Sequence, residues 1–195
     1  QVEMLLDERR YHDALDALRQ LPEKHTAALR LELRAQQLAS NWDRVLALIP
    51  LLDKRKVFDR PVVAQLRRQA VVGNIRRKAL DGKALRDYWE RLSVEDRQEP
   101  HIAAAAAECF VALGACAEAH RIVEEGVERQ WDAGLVALYA DCPGADVRQQ
   151  LERAERWLLA HPRDAVLLLT LGRLCAQQGL WGKARSYLDA SLSIE

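Results

Sequence analysis

The chain has 195 residues, 49% hydrophobic and 30% charged, with 29 basic side chains matched by 29 acidic ones. That is enough apolar surface for an extended core, and the zero formal net charge supplies no field of the kind that draws general nucleic-acid binders to phosphate. No apolar run reaches the roughly eighteen residues of a membrane span, and no signal-peptide pattern opens the chain. Ala, Leu, Arg, Glu and Gln dominate, all good helix formers. Every periodic stretch repeats at about 3.6 residues, which predicts about ten helices in antiparallel pairs and no strand.

In chain order, residues 1–22 read as half of a hairpin. Its helix is expected at about 7–20, with Tyr11, Ala14 and Leu18 in the aromatic, small and large places and an end near Pro22. Residues 26–39 repeat an apolar spacing through Ala28, Leu29, Leu31, Leu33 and Leu38, and Trp42, Val45, Ile49 and Leu52 form their partner. A third helix at 61–79 carries Val63, Leu66, Ala70 and Gly73 on one side, with Pro61 suited to its first turn. Asp81 and Gly82 break it, and Leu85, Tyr88, Trp89 and Leu92 mark a shorter mate. Residues 93–100 are the most polar connection and the expected flexible point. Residues 101–130 give Ala103, Ala106, Ala107 and Phe110, then a turn at Gly114, then Ala119, Val123 and Gly126. A degenerate pair at 131–140 and 146–160 follows, separated by Asp141, Cys142, Pro143 and Gly144. The last pair, 165–195, turns at Gly179, which can take the left-handed conformation that ends a helix.

That last pair is similar to a tetratricopeptide (TPR) hairpin, with Leu168, Leu171, Gly172, Trp181, Ala184 and Leu188 in the signature places. Equivalent first helices start near 26, 63, 100, 131 and 165, at spacings of 37, 37, 31 and 34 residues. Insertions fall in connections, as repeat stacking expects. The resemblance implies one domain over 1–195, an all-α, TPR-like right-handed superhelical solenoid whose first helices line a concave face. Residues expected on that face are Arg30, Arg34, Gln37, Arg67, Asn74, His101, Glu108, Arg173 and Gln177. The face would be basic, and the planar fork of Arg suits carboxylates on a partner.

Chemistry is sparse. Gly182-Lys183 lacks the rest of a phosphate-binding loop, and no GxGxxG, HExxH or CxxC occurs. No catalytic residue and no metal site is assigned. The four cysteines, Cys109, Cys116, Cys142 and Cys175, lack zinc-ligand spacing. All four are expected unpaired, in keeping with a reducing cytoplasm. Cys142-Pro143 carries two readings: a weak haem-ligand candidate at Cys142, or a helix-breaking Asp-Cys-Pro-Gly turn. His12, His25, His101, His120 and His161 read as surface residues. Trp42 and Trp181 hold inter-helix packing places and Trp89 and Trp157 continue apolar stripes, whereas Trp131 has no assigned role.

The wording of LASNWDRVLALIPLL, LRDYWERL, GVERQWDAGLVALYA and LLLTLGRLCAQQGLWGKARSYLDASL resembles the C-terminal TPR domain of the bacterial HemY-type inner-membrane proteins associated with haem biosynthesis. The resemblance implies two N-terminal membrane helices outside this chain, a cytoplasmic placement of the domain, and a link to late protohaem metabolism. It points to a non-catalytic scaffold for other proteins, haem-biosynthesis enzymes among them, with no nucleic acid and no obligatory cofactor. The competing readings are a haem- or porphyrin-binding carrier and a generic TPR peptide-binding adaptor.

Overall fold

The computed structural model describes residues 2–20, 25–144 and 146–194. Among them are thirteen helices and no strand: α1 (Val2–Asp7), α2 (Tyr11–Arg19), α3 (Thr26–Leu38), α4 (Trp42–Lys54), α5 (Arg60–Lys78), α6 (Gly82–Arg91), α7 (Val94–Gln98), α8 (Pro100–Ala112), α9 (Cys116–Arg129), α10 (Ala133–Leu138), α11 (Val147–Ala160), α12 (Ala165–Gln177) and α13 (Trp181–Leu192). The expected ends at Gln1, Pro22 and Glu195 lie outside the described residues.

Four helix pairs, α1–α2, α3–α4, α8–α9 and α12–α13, share one turn. In each, a residue with positive φ follows the first helix: Arg9 at 60°, Ser40 at 55°, Gly114 at 69° and Gly179 at 70°. Its amide and the next one bond back to the helix end. In α3 these are Ser40 N–H to the Gln37 carbonyl at 3.0 Å and Asn41 N–H to the Gln36 carbonyl at 2.9 Å. In α12 they are Gly179 to Ala176 at 3.0 Å and Leu180 to Cys175 at 2.9 Å. This is the Schellman arrangement, which satisfies carbonyls that a helix end leaves without partners. The residue after it, Arg10, Asn41, Ala115 or Leu180, has ψ of 61–65° in every case and starts the second helix without a side-chain cap. By contrast, α6, α7, α8, α10, α11 and α12 start behind connections of other kinds. They are capped by the side chains of Asp81, Ser93, Glu99, Asp132, Asp146 and Asp164.

The chain divides into two compact units, residues 1–77 and 78–195. In the first, Leu5, Leu6, Ala14, Leu15 and Ala35 form one buried cluster with Tyr11 packed on it. Leu29, Leu33, Val45, Leu48, Leu52, Val57 and Ala70 form a second, with Trp42 and Phe58 packed on it. The indole of Trp42 lies against Gly73 so closely that a Cβ there would sit 2.4 Å from the ring. In the second unit α8 packs on α9, α12 on α13, and α10 against α8, α9 and α12. Phe110, Leu135, Tyr139, Leu167 and Leu171 are among its most enclosed large side chains. Gly172 gives Leu188 its seat, since a Cβ there would lie 2.7 Å from the leucine.

Several expectations change. Thirteen helices replace about ten, because the opening stretch is broken at Arg9 into α1 and α2 and because a short helix forms where a connection was read. That connection is the polar segment 93–100, where the Ser93 hydroxyl accepts from Asp96 N–H at 3.1 Å and starts α7. Trp131 lies outside α10, whose start is fixed two residues later by Asp132 accepting from Leu135 N–H at 2.9 Å. Trp181, expected to pack between helices, is 70% exposed. Its counterpart Trp42 owes its burial to the glycine of a following helix, and no described element of the second unit supplies that to Trp181.

Ser40 holds the left-handed conformation at a cost of about 1–2 kcal/mol that glycine does not bear. Ser40→Gly should therefore stabilise the first unit by about 1 kcal/mol, read as a rise in denaturation midpoint. Gly73→Ala should destabilise it by about 1–3 kcal/mol through overpacking against Trp42.

Candidate functional site

The residues expected on a concave face have separate fates. On α3, Arg30 donates from Nη2 to the Val57 carbonyl at 3.0 Å, and its guanidinium lies 5.4 Å from the Phe58 ring centre. Arg34 pairs with Asp7 at 3.5 Å, both well exposed, a contact weak enough in water to exchange for a partner's carboxylate. Gln37 Nε2 donates to Gln69 Oε1 at 3.1 Å and ties α3 to α5, where Arg67 is exposed. Asn74 is a correction: it is fully buried and donates from Nδ2 to Asp43 Oδ1 at 2.8 Å. The α5 helix turns it toward α4, so it braces two helices and faces no groove.

In the second unit, His101 is exposed with its ring 3.0 Å from Glu99, and Glu108 is exposed on α8. Arg173 pairs with Asp141 at 2.6 Å, and Gln177 donates to the Ala140 carbonyl at 2.8 Å. These two side chains latch α12 to the loop after α10. The structure thus keeps Arg30, Arg34, Gln37 and Arg67 in one unit and His101, Glu108, Arg173 and Gln177 in the other.

The cysteine expectation is overturned. Cys116 and Cys142 form a disulfide with Cα atoms 5.5 Å apart, while Cys109 and Cys175 are buried and lie in no disulfide. The loop after α10 folds back on the start of α9, which brings together two residues 26 positions apart. The sulfur of Cys142 is therefore no thiolate in this structure, and its candidacy as a haem ligand is withdrawn. His120, read as a surface residue, belongs to the same assembly. Its Nε2 lies 2.8 Å from the Cys142 carbonyl and 3.2 Å from Gln150 Nε2. Buried Gln150 also donates to the Tyr139 carbonyl and accepts from Gly144 N–H at 3.3 Å. Burial raises the pKa of Tyr139, helped by its 2.6 Å hydrogen bond to Glu124.

A recess that sequence reasoning did not find lies beside α9 and α11. Trp131 stacks on His161 with ring centres 3.6 Å apart, and meets Trp157 edge-on at 6.4 Å. Trp131 Nε1–H donates to Asp164 at 2.8 Å. Arg153 and Arg156 line the same recess of about 360 Å³ together with Glu128. The available signal was the isolated Trp131 itself, placed just before a helix cap where no repeat position calls for an indole.

Closing a loop of this length, the disulfide should contribute about 2–4 kcal/mol. A Cys142→Ser variant should melt lower by a corresponding amount, and a dithiol reductant should lower the wild type and leave the variant unmoved. Intact mass after blocking of free thiols should show two cysteines protected. Tyr187 provides a pH test. Burial, then Glu155, raises its pKa from 10.0 to about 12. A tyrosine whose folded pKa is raised stabilises below its unfolded value, so this contribution is full below pH 10 and is lost as pH rises through about 12. Tyr187→Phe should flatten the alkaline fall of the melting temperature across that window.

No family model matches the chain, and no solved structure matches it. It is 28% identical over 185 residues to Protein HemY of Escherichia coli K12, and equally to Protein HemY of Escherichia coli O157:H7 and of Shigella flexneri. The alignment covers 91% of this chain and 45% of those proteins. The chain is thus similar to HemY proteins along nearly its whole length and spans less than half of theirs.

Proposed function

We propose that the chain is a non-catalytic interaction module, a TPR-like right-handed solenoid that holds other proteins at the bacterial inner membrane in late protohaem metabolism. The observation that carries this reading is the fourfold recurrence of one turn with the same backbone angles. Repeated hairpins that differ in side chains are the construction of binding arrays. The similarity to HemY proteins supplies the link to haem metabolism and to a membrane. No helix of the described residues is long and apolar enough to cross a membrane, so attachment would come from other parts of a longer protein.

Partner recognition rests on the exposed first-helix cations of the first unit, Arg34 and Arg67, with Asn74 removed from that set. The porphyrin-carrier alternative had Cys142 as its anchor, which the disulfide occupies. That bond also weighs against the cytoplasmic placement read from the sequence, because a reducing cytosol keeps such thiols open. Alkylation of intact cells with a membrane-impermeant thiol reagent after reduction decides the side.

Arg34→Ala with Arg67→Ala in the full-length protein should weaken capture of its membrane partners about ten-fold if the contacts are desolvated. The salt dependence of capture should shrink, with the melting temperature unchanged. Unchanged affinity at low salt in the folded double variant would remove these residues from recognition. Haem titration should give no saturable Soret shift; a stoichiometric shift would favour the carrier.

A further inference from the structure

The recess walled by Trp131, Trp157 and His161 has the features of a ligand site and lies outside the surfaces assigned above. Its walls are fixed before anything binds. Trp131 is held by stacking on His161 and by its bond to Asp164, whose other oxygen accepts from Leu167 N–H at 2.9 Å and caps α12. Trp157 is held from behind by Tyr139, with ring centres 4.8 Å apart. The two indoles stand at 81° to each other, so they form a corner and do not close into a stack. Binding there would not have to order the aromatic side chains, which is a principal cost of recognition.

Charge selects the ligand class. Arg153 is engaged by Glu124 at 3.2 Å and Glu128 at 3.3 Å. Arg156 is exposed and forms no ion pair or hydrogen bond among the described residues. Arg153 is thus already matched by two carboxylates, and the Asp164 carboxylate is taken up by Trp131 and the α12 cap, so Arg156 is the one cation of the recess lining without a carboxylate partner among the described residues. A single uncommitted guanidinium beside two indoles matches one carboxylate on a flat apolar body. The volume of about 360 Å³ is at the small end of the roughly 300–1,000 Å³ usual for ligand sites. That accommodates one or two fused rings and not a tetrapyrrole, so the site is separate from the porphyrin-carrier reading.

We propose that this recess binds a small planar aromatic monocarboxylate, its ring in the Trp131–Trp157 corner and its carboxylate on Arg156. The test is calorimetric titration of the intact chain with naphthoate and with naphthamide, its neutral counterpart of the same shape. Naphthoate should bind saturably at one site, and naphthamide about ten-fold or more weaker. Arg156→Gln should reduce naphthoate affinity by a similar factor and leave naphthamide unchanged. Arg185→Gln, an exposed cation on α13 paired with Asp189, should change neither. Because Arg156 is exposed, its replacement should leave the melting temperature unaltered, which separates lost binding from lost fold. The proposal is overturned by the absence of saturable naphthoate binding, by equal affinity for naphthamide, or by an Arg156→Gln variant that binds naphthoate as the wild type does.

Discussion

Two adjacent backbone hydrogen bonds at the end of a helix, with one residue turned left-handed between them, are the constraint from which each regular hairpin follows. At a net contribution of about 1 kcal/mol apiece, the pair offsets the roughly 1–2 kcal/mol that a non-glycine residue pays in the left-handed region. Glycine at 114 and 179 is therefore favourable but not obligatory, and Arg9 and Ser40 serve in the same place. Because the next residue takes the same backbone angles in all four turns, the second helix always leaves in one direction. Its first side chain then stands in an equivalent position: Tyr11, Trp42, Cys116 or Trp181.

What could be read from the chain follows from which of these features is carried by side chains. Apolar spacing placed nearly every long helix, and the Gly114 and Gly179 turns were visible because glycine marks a left-handed residue. Arg9 gave no such mark, so the opening stretch read as one helix where the backbone makes two. The short helix α7 was hidden for a related reason. Ser93 starts it by a single capping bond, and its five residues are too few to establish a period.

The candidate site was less legible than the fold, because repeat position predicts which face a residue is on and not what else reaches that face. Asn74 was assigned to an open surface, yet α4 supplies Asp43 to it and closes over it. Arg173 and Gln177 were read onto the concave face of an array, and in the structure they meet the loop that follows α10, a segment of no regular period. The recess at Trp131 was missed because its walls come from α11, the His161 linker and an indole outside any helix. Each element reads there as ordinary packing, and only their meeting makes a corner.

The disulfide is intelligible within the same geometry. Cys116 occupies the place where Tyr11 and Trp42 reach out from their hairpins to fill a neighbouring surface. For Trp42 the surface is a helix with a glycine seat, so a broad ring can lie flat and exclude water. Beyond Cys116 stands a loop, whose backbone polar groups require partners when buried. His120 and Gln150 supply those partners to the carbonyls of Cys142 and Tyr139. A covalent bond needs only one atom on each side, and so it can join a helix start to a loop whose backbone groups are already committed to side chains.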